Sequence, residues 1–227
     1  MSNKSNQIRG KENNQSRKYC GRIKEITNMK KKKINFGILD SGSWDSSLDY
    51  ILKQMNGQPL NVHKLLANHP KLLNAWWNFR NYSVEGGDLG RRRGELVILR
   101  VAANLRSWYE WSSHVDRSLQ CGLKIFEIER VNKKIIESDW CEEEYFLLLA
   151  VDELIESRKI NKTLFTKLKQ YYSEQQIMDI ISIHGMYIIL GCMIDIWELD
   201  LEDYISKRLP ANINKESFFS SVSIESN

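Results

Sequence analysis

Apolar residues recur at helical spacing through almost all of the chain between residues 46 and 209. No segment alternates apolar and polar residues between turn-forming residues, as a half-buried strand does. Only three prolines are present, and they interrupt this pattern little. The predicted helices cover residues 47–56, 61–68, 71–82, 90–104, 108–120, 125–131, 141–157, 161–172 and 174–196. The predicted fold class is therefore all-α.

The segment from Glu95 to His114, ELVILRVAANLRSWYEWSSH, combines three protonatable side chains with enough apolar residues to belong to a core. On one unbroken helix, Glu95 and Glu110 would lie about 22 Å apart and could not share a site. Ser107, followed three residues later by Glu110, fits the S-x-x-E capping box that begins a new helix. If the two helices fold back on each other there, Glu95 and His114 come to similar heights on facing helices.

Glu95, Glu110 and His114 are the candidate catalytic residues. Glu110 and His114 are four residues apart and share one face of the second helix. A carboxylate close to an imidazole raises the pKa of the ring and orients it, which suits proton transfer near neutral pH. Each residue also has a structural interpretation: Glu110 as the N3 residue of the capping box, His114 as a core histidine, and Glu95 as an ion-pair partner within its own helix.

The net charge of +4 is unevenly distributed along the chain. Residues 1–33 carry 11 basic and 2 acidic side chains, so the remainder is mildly acidic. This composition predicts a disordered basic leader over residues 1–40, a helical domain over 41–209 and a polar C-terminal tail over 210–227. Met29 is an alternative start. An acidic domain has no electrostatic argument for binding nucleic acid.

The four cysteines, Cys20, Cys121, Cys141 and Cys192, form no CxxC motif and no metal-like spacing with the histidines. This argues against a disulfide framework and a zinc site. No apolar run approaches the ~20 residues of a membrane span, and the N-terminus lacks the apolar core of a secretory signal. We therefore expect no membrane partner, no cofactor and a cytoplasmic location.

The run RRRGELVILRVAANLRSWYEWSSHVDRSLQCGL resembles the carboxymuconolactone decarboxylase family, whose members share R-x-x-E-L-x-I-L-R followed by Y-E-W-x-x-H and G-L. The segments LLANHPKLLNAWWNF, EEEYFLLLAVDELIESRKI and IISIHGMYIILGCM are similar to other helices of the family, so the resemblance covers roughly residues 55–200. It implies an alkylhydroperoxidase D-like helical bundle that is an obligate oligomer, a trimer or hexamer, with sites at or near subunit contacts. Short helices rich in Trp and Leu agree with self-association.

The resemblance also implies a function. Glu110 and His114 would be the acid/base pair and Glu95 the second carboxylate of a cofactor-independent, decarboxylase-like lyase acting on a small carboxylated or lactone-like substrate. Such a substrate needs cationic anchors. The candidates are Arg100, Arg106 and the cluster of residues 91–93.

Two alternative functions stay open. In the alkylhydroperoxidase D branch of the family, a C-x-x-C motif precedes the histidine, and its cysteines would fall on Ser107 and Glu110, which cannot form a disulfide. A peroxidase would have to use Cys121, which precedes Gly122 at a predicted helix end, where the helix dipole raises the pKa of a thiol. The other alternative is a non-catalytic helical oligomer in which Glu95, Glu110 and His114 form a buried structural network.

Overall fold

The computed structural model describes residues 37–135 and 139–222, and over these residues it contains helices and no strand. The residues belong to one unit, Phe36–Asn227. The α-helices are α1 (Asp49–Gln54), α2 (Asn61–Leu66), α3 (Pro70–Val84), α4 (Arg91–Asn104), α5 (Trp108–Gln120), α6 (Ile125–Arg130), α7 (Glu142–Ser157), α8 (Lys162–Leu168), α9 (Glu174–Ile196), α10 (Asp203–Ser206) and α11 (Lys215–Ser221). Short 3-10 turns cover Ser41–Ser43, Ser46–Leu48 and Gly87–Leu89.

The central helix is α4, which packs against α3, α5, α7 and α9. Every residue from Gly94 to Ala103 is buried. This part of the sequence is apolar on all sides, as expected of a helix that neighbours surround. Glu95 and Arg100 are the two ionisable residues that the helix carries into this core.

A smaller apolar cluster joins the N-terminal turns to α3. Trp44, Leu48 and Ile51 pack there against Leu73 and Trp77. Trp77 is buried in this cluster, with only 2% of its surface exposed. The tryptophans that the sequence analysis assigned to a subunit contact therefore include side chains that the chain buries by itself.

The N-terminal domain boundary differs from the sequence prediction. Residues 1–36 lie outside the described residues, and with them most of the predicted leader and the alternative start at Met29. Within the predicted leader, Leu39 donates a backbone hydrogen bond to the Lys64 carbonyl and packs against the N-terminal apolar cluster. Packed structure therefore begins before residue 41.

The C-terminal boundary at residue 209 also needs correction. The sequence analysis placed no helix beyond residue 196, yet α10 and α11 follow it. Phe218 of α11 is 1% exposed and packs against Trp108 and Trp111 of α5. The predicted polar tail thus contributes Ile213, Phe218 and Val222 to the core, a set too sparse for a periodicity argument.

Helix α9 has the bounds that the sequence analysis predicted, 174–196, but is more apolar than that analysis allowed. By length and composition alone it is able to cross a membrane, although half of its most apolar part is buried inside the bundle. Core helices of soluble proteins pass the same test, so the helix is weak evidence for a membrane span. The absence of a membrane partner stays a prediction.

Candidate active site

The turn between α4 and α5 positions the candidate acid/base residues. Arg106 adopts a left-handed conformation with φ 54°, which reverses the chain after α4. The Ser107 hydroxyl then accepts a 3.4 Å hydrogen bond from the backbone N–H of Glu110 and caps α5. The predicted capping box is only half formed, because the Glu110 carboxyl group does not return to the backbone. The structure therefore removes the capping role considered for the Glu110 side chain.

A hydrogen-bonded chain connects Glu95, His114 and Tyr187 across three helices. Nδ1 of His114 lies 2.7 Å from Oε2 of Glu95, and Nε2 lies 2.8 Å from the Tyr187 hydroxyl. All three residues are buried. Because a carboxylate is an acceptor, the arrangement assigns the Nδ1–H tautomer to neutral His114 and makes Tyr187 the donor to Nε2.

Tyr187 is a site residue that sequence reasoning treated only as part of the apolar inner face of α9. Its ring meets the imidazole of His114 edge-on, with the ring centroids 5.1 Å apart. Burial, followed by the negative charge of Glu95, raises the pKa of Tyr187 well above its usual value. Its hydroxyl therefore stays protonated. The sequence signal, a lone phenol on an otherwise aliphatic helix face, is weak.

Glu95 is held in its ionised form. Burial alone would raise its pKa, but the charges and hydrogen bonds of His114 and Arg117 outweigh burial and lower it. Nε of Arg117 donates to Oε1 of Glu95 over 3.1 Å, and the Ser118 hydroxyl lies 3.4 Å from Oε2. Arg117 is therefore a second residue of the site that the sequence analysis did not identify.

Glu110 is as buried as Glu95, with 2% of its surface exposed. Neither of its carboxyl oxygens has a hydrogen-bond partner in residues 37–135 and 139–222. Burial raises its pKa to about 8, although the nearby Ser107 hydroxyl opposes the rise, and the charge of Asp195 adds to it. A Cβ atom at Gly191 would lie 3.1 Å from Oε2 of Glu110, so a glycine lets the carboxyl group rest against α9. Glu110 is thus a neutral acid near pH 7.

Two neighbouring cavities border these residues. The inner cavity has a volume of about 40 Å³, and Glu110, His114 and Tyr187 all line it. The outer cavity, of about 200 Å³, is lined by His114 and by three arginines, Arg80, Arg117 and Arg208. His114 and Arg80 line both, so a small molecule in the outer cavity would lie beside the hydrogen-bonded chain.

The arginines proposed as anchors from the sequence do not line these two cavities. Arg100 makes a two-point ion pair with Asp152, with distances of 2.6 and 2.7 Å, and also donates to the carbonyls of Val131 and Lys133. Arg106 lies over the Phe219 ring. Arg100 is therefore a structural residue that tethers a loop, and its prediction as an anchor is wrong.

The arginines at positions 91–93 are paired on the surface of α4. Arg91 pairs with Glu85, Arg92 with Glu127 and Glu144, and Arg93 with Glu143. Arg92 and Arg93 thereby attach the start of α4 to α6 and α7. Their charges are used within the chain, which contradicts their assignment as substrate anchors.

The three cysteines in the described ranges offer no alternative chemistry beside His114. Burial raises the pKa of Cys121, and its thiol donates to the Ser118 carbonyl over 3.3 Å. Cys121 lines neither of the two cavities, so its thiol is not aimed at the hydrogen-bonded chain. In the part of the chain that the structure describes, no group of three or more His, Cys, Asp or Glu residues is placed to hold a metal ion.

Comparison with known proteins agrees with the resemblance seen in the sequence. Residues 70–151, which include Glu95, Glu110 and His114, match the model of the carboxymuconolactone decarboxylase family. Comparison with curated protein sequences gives no match. The predicted family resemblance is confirmed over the matched residues.

Solved structures share the fold at low sequence identity. An uncharacterized peroxidase-related protein from Ralstonia eutropha JMP134, described as an alkylhydroperoxidase AhpD core, superposes with a TM-score of 0.66 and 15% identity over 74% of this chain and 93% of that one. A cysteine-to-alanine variant of the debrominase Bmp8, in complex with 2,3,4-tribromopyrrole, gives a TM-score of 0.66 and 15% identity over 78% and 96% of the two chains. A peroxidase-related protein from Silicibacter sp. TM1040 gives 0.63 and 18% identity over 78% and 97%. The all-α, alkylhydroperoxidase D-like fold is confirmed.

Proposed function

We propose that this protein is a cofactor-independent acid/base enzyme of the carboxymuconolactone decarboxylase type, acting on a small substrate bound beside His114. The family match over residues 70–151 supports the reaction class. The observation that carries the proposal is the pair of buried carboxyl groups, Glu95 and Glu110, whose pKa values are displaced in opposite directions. Such divergence within one site is typical of a general acid and a general base.

Each residue of the site has a role in this proposal. Glu110, protonated near neutral pH, is the proton donor. Glu95 fixes the His114 ring, and Nε2 of His114 accepts the hydrogen of the Tyr187 hydroxyl and so orients that phenol beside the substrate. The sequence analysis considered both glutamates as partners of His114, whereas of these two carboxyl groups only that of Glu95 bonds to the ring.

A decarboxylation uses these groups in sequence. The bond between the substrate carbon and its carboxylate breaks, carbon dioxide leaves, and the electron pair is delocalised onto an adjacent carbonyl oxygen as an enolate. The Tyr187 hydroxyl has one hydrogen, so it stabilises that oxygen by turning this hydrogen from Nε2 of His114 to the enolate. Glu110 then transfers its proton to the carbon and regains one from water. Glu110 and Tyr187 both line the inner cavity, so the proton donor and the phenol reach the same molecule.

Release of carbon dioxide from carboxymuconolactone tests this proposal. The experiment compares the wild-type protein with Glu110→Gln and His114→Gln, and uses His184→Gln as a control because His184 lies on α9 and lines neither of the two cavities. We expect the two site variants to lose about 10²- to 10⁴-fold in kcat/KM while keeping the helical circular-dichroism spectrum, and the control to keep its activity.

Two results would contradict the proposal. Absence of carbon dioxide release by the folded wild-type protein excludes the decarboxylase reaction on this substrate. Full activity of both site variants would exclude Glu110 and His114 from the reaction. Hydroperoxide turnover that disappears in Cys121→Ser would instead support a peroxidase, and an inert protein that unfolds when His114 is replaced would support a structural network.

Self-association, as a trimer or hexamer, is part of the proposal. It is supported by an apolar surface formed by two antiparallel helices, α3 and α9, which meet where Tyr82 bonds to Asp179. The exposed apolar residues of this surface are Leu72, Phe79, Tyr82, Met178, Ile181, Ile189 and Ile196. Light scattering after gel filtration should give a mass of several chains for the wild-type protein, and Ile189→Lys should reduce it. A monomeric wild-type protein would exclude this part of the proposal.

A further inference from the structure

Arg80 and Arg208, unlike the neighbouring Arg117, form no ion pair with a carboxylate among the residues that the structure describes. The Arg80 guanidinium donates to the Asn81 side chain over 3.0 Å and lies over the Trp77 ring, 5.2 Å from the centroid. No acidic side chain in the described ranges forms an ion pair with it. Arg117, by contrast, is neutralised by Glu95. A half-buried cation without an ion-pair partner is energetically costly. We therefore expect Arg80 to bind an anion that is not part of the chain.

The outer cavity supplies room for that anion. Arg80, Arg117 and Arg208 line it, whereas the one carboxylate in its wall is Asp116, which is exposed and accepts from Gln120. Arg208 lies over the Tyr204 ring and leaves its charge facing the same volume. The wall therefore carries a surplus of positive charge beside His114.

The location of Arg80 determines where the rest of a bound anion would lie. It lines both cavities, so a group bound to it would extend from the outer cavity toward Tyr187 and Glu110. Its stacking on Trp77 and its bond to Asn81 fix the plane of the guanidinium. A planar, fixed guanidinium matches the two-oxygen edge of a carboxylate.

We propose that Arg80 is the centre of a subsite for the carboxylate of a small organic acid, with Arg208 as the outer cation, and that this subsite positions the substrate against Tyr187 and Glu110. The inference rests on the proposed function for the reaction that follows binding. Binding itself is measured without turnover, so the two are tested separately.

Calorimetric titration of the folded protein at pH 7 and low salt tests the subsite. The probes are acetate and benzoate, with benzamide as the uncharged counterpart of benzoate and inorganic phosphate as a different anion. The variants are Arg80→Gln and Arg80→Lys, and Arg158→Gln is the control, since Arg158 is exposed at the C-terminal end of α7. We expect one of the carboxylates to bind saturably, and benzamide to bind at least about tenfold more weakly than benzoate.

The variants separate the charge of Arg80 from its geometry. Arg80→Gln should weaken carboxylate binding at least about tenfold, and Arg80→Lys should weaken it less because the charge remains. Arg158→Gln should bind as the wild-type protein does. If the wild-type protein binds carboxylate through Arg80 but has no decarboxylase activity, the proposed function fails and the subsite stands.

Three outcomes would overturn the subsite. The first is the absence of saturable binding of both acetate and benzoate to the wild-type protein. The second is equal affinity of wild-type protein and a folded Arg80→Gln variant, with folding checked by thermal unfolding. The third is tighter binding of phosphate than of either carboxylate, which would assign the cation cluster to a phosphate group instead.

Discussion

Glu95 and Glu110 lie on consecutive helices, are equally buried and face the same histidine-containing site, yet their surroundings differ completely. Glu95 has His114, Arg117 and Ser118 around its carboxylate. Glu110 has no hydrogen-bond partner among the described residues for either oxygen. The pKa of Glu95 is lowered and that of Glu110 is raised to about 8. Burial alone therefore does not set the protonation of a carboxyl group; the available donors and cations do.

The two glutamates also differ in what they contribute: Glu95 contributes to stability and Glu110 to the proposed chemistry. An ionised carboxylate with three donors stabilises the packing of α4 against α5, whereas a protonated one held in an apolar wall contributes little to the fold and keeps a proton available. A purely structural network would satisfy both groups. The unpartnered Glu110 is the feature that such a network leaves unexplained.

The largest expected effect is on the pH dependence of stability. The folded-state pKa of Glu110, about 8, lies above the ordinary glutamate value of 4.5, so its stabilising contribution is complete below pH 4.5 and is lost as the pH rises toward 8. Over that interval the wild-type protein should lose up to about 1.4 kcal/mol per pH unit relative to Glu110→Gln. Urea unfolding at pH 5.5 and pH 8 measures the difference. Glu216→Gln, at an exposed position, should have the same free energy of unfolding as the wild-type protein at both pH values. If the free energy of unfolding of Glu110→Gln changed with pH as that of the wild-type protein does, the raised pKa of Glu110 would be contradicted.

Glu95→Gln should have the opposite dependence. It leaves His114 and Arg117 without their carboxylate, and at pH 7 we expect the free energy of unfolding to fall by about 3 kcal/mol. Because the pKa of Glu95 is lowered, its contribution is present above pH 4.5 and disappears as the pH falls through the folded-state pKa. Glu143→Gln, which breaks the more exposed pair with Arg93, should cost less than about 1 kcal/mol. If both variants lost the same free energy of unfolding, the buried contacts of Glu95 would contribute no more than an exposed ion pair.

A smaller effect is expected from the contact between Glu110 and α9. In Gly191→Ala the new Cβ atom would lie 2.7 Å from Cδ1 of Leu105 and 3.1 Å from Glu110, and the overlap should cost about 2 kcal/mol. Gly185→Ala on the same helix meets no atom within 4 Å and should stabilise the helix by up to about 1 kcal/mol. Thermal unfolding of the two variants measures the contrast. Stabilisation by both would mean that Glu110 is not confined by α9.

The smallest effect is expected at the end of the hydrogen-bonded chain. Tyr187→Phe removes the donor to Nε2 of His114 and should cost about 1 kcal/mol, whereas Tyr50→Phe, at an exposed position, should cost close to nothing. Urea unfolding measures both. If Tyr187→Phe changed neither the free energy of unfolding nor the rate of carbon dioxide release, Tyr187 would have no part in the proposed mechanism.

The sequence alone determined the all-α class, the break at Ser107 and the helices on either side of it. Those features are local: an apolar period of 3.6, a cap and a stop act within a few residues of one another. The bounds of α5 and α9 match the predicted residues 108–120 and 174–196. The convergence of Glu95 and His114 followed from the same local reasoning, since a helical hairpin brings them to one height. Their catalytic roles remain predictions.

Tertiary structure decided how the ionisable groups are partnered. Arg117 rather than Glu110 completes the surroundings of Glu95, Tyr187 arrives from α9, and Arg80 rather than Arg100 faces the outer cavity. These pairings join side chains of different helices, and no periodicity encodes which arginine pairs with which carboxylate. A pKa depends on the donors and charges within a few ångströms. The sequence could therefore name the acids and the base but not which carboxyl group keeps its proton.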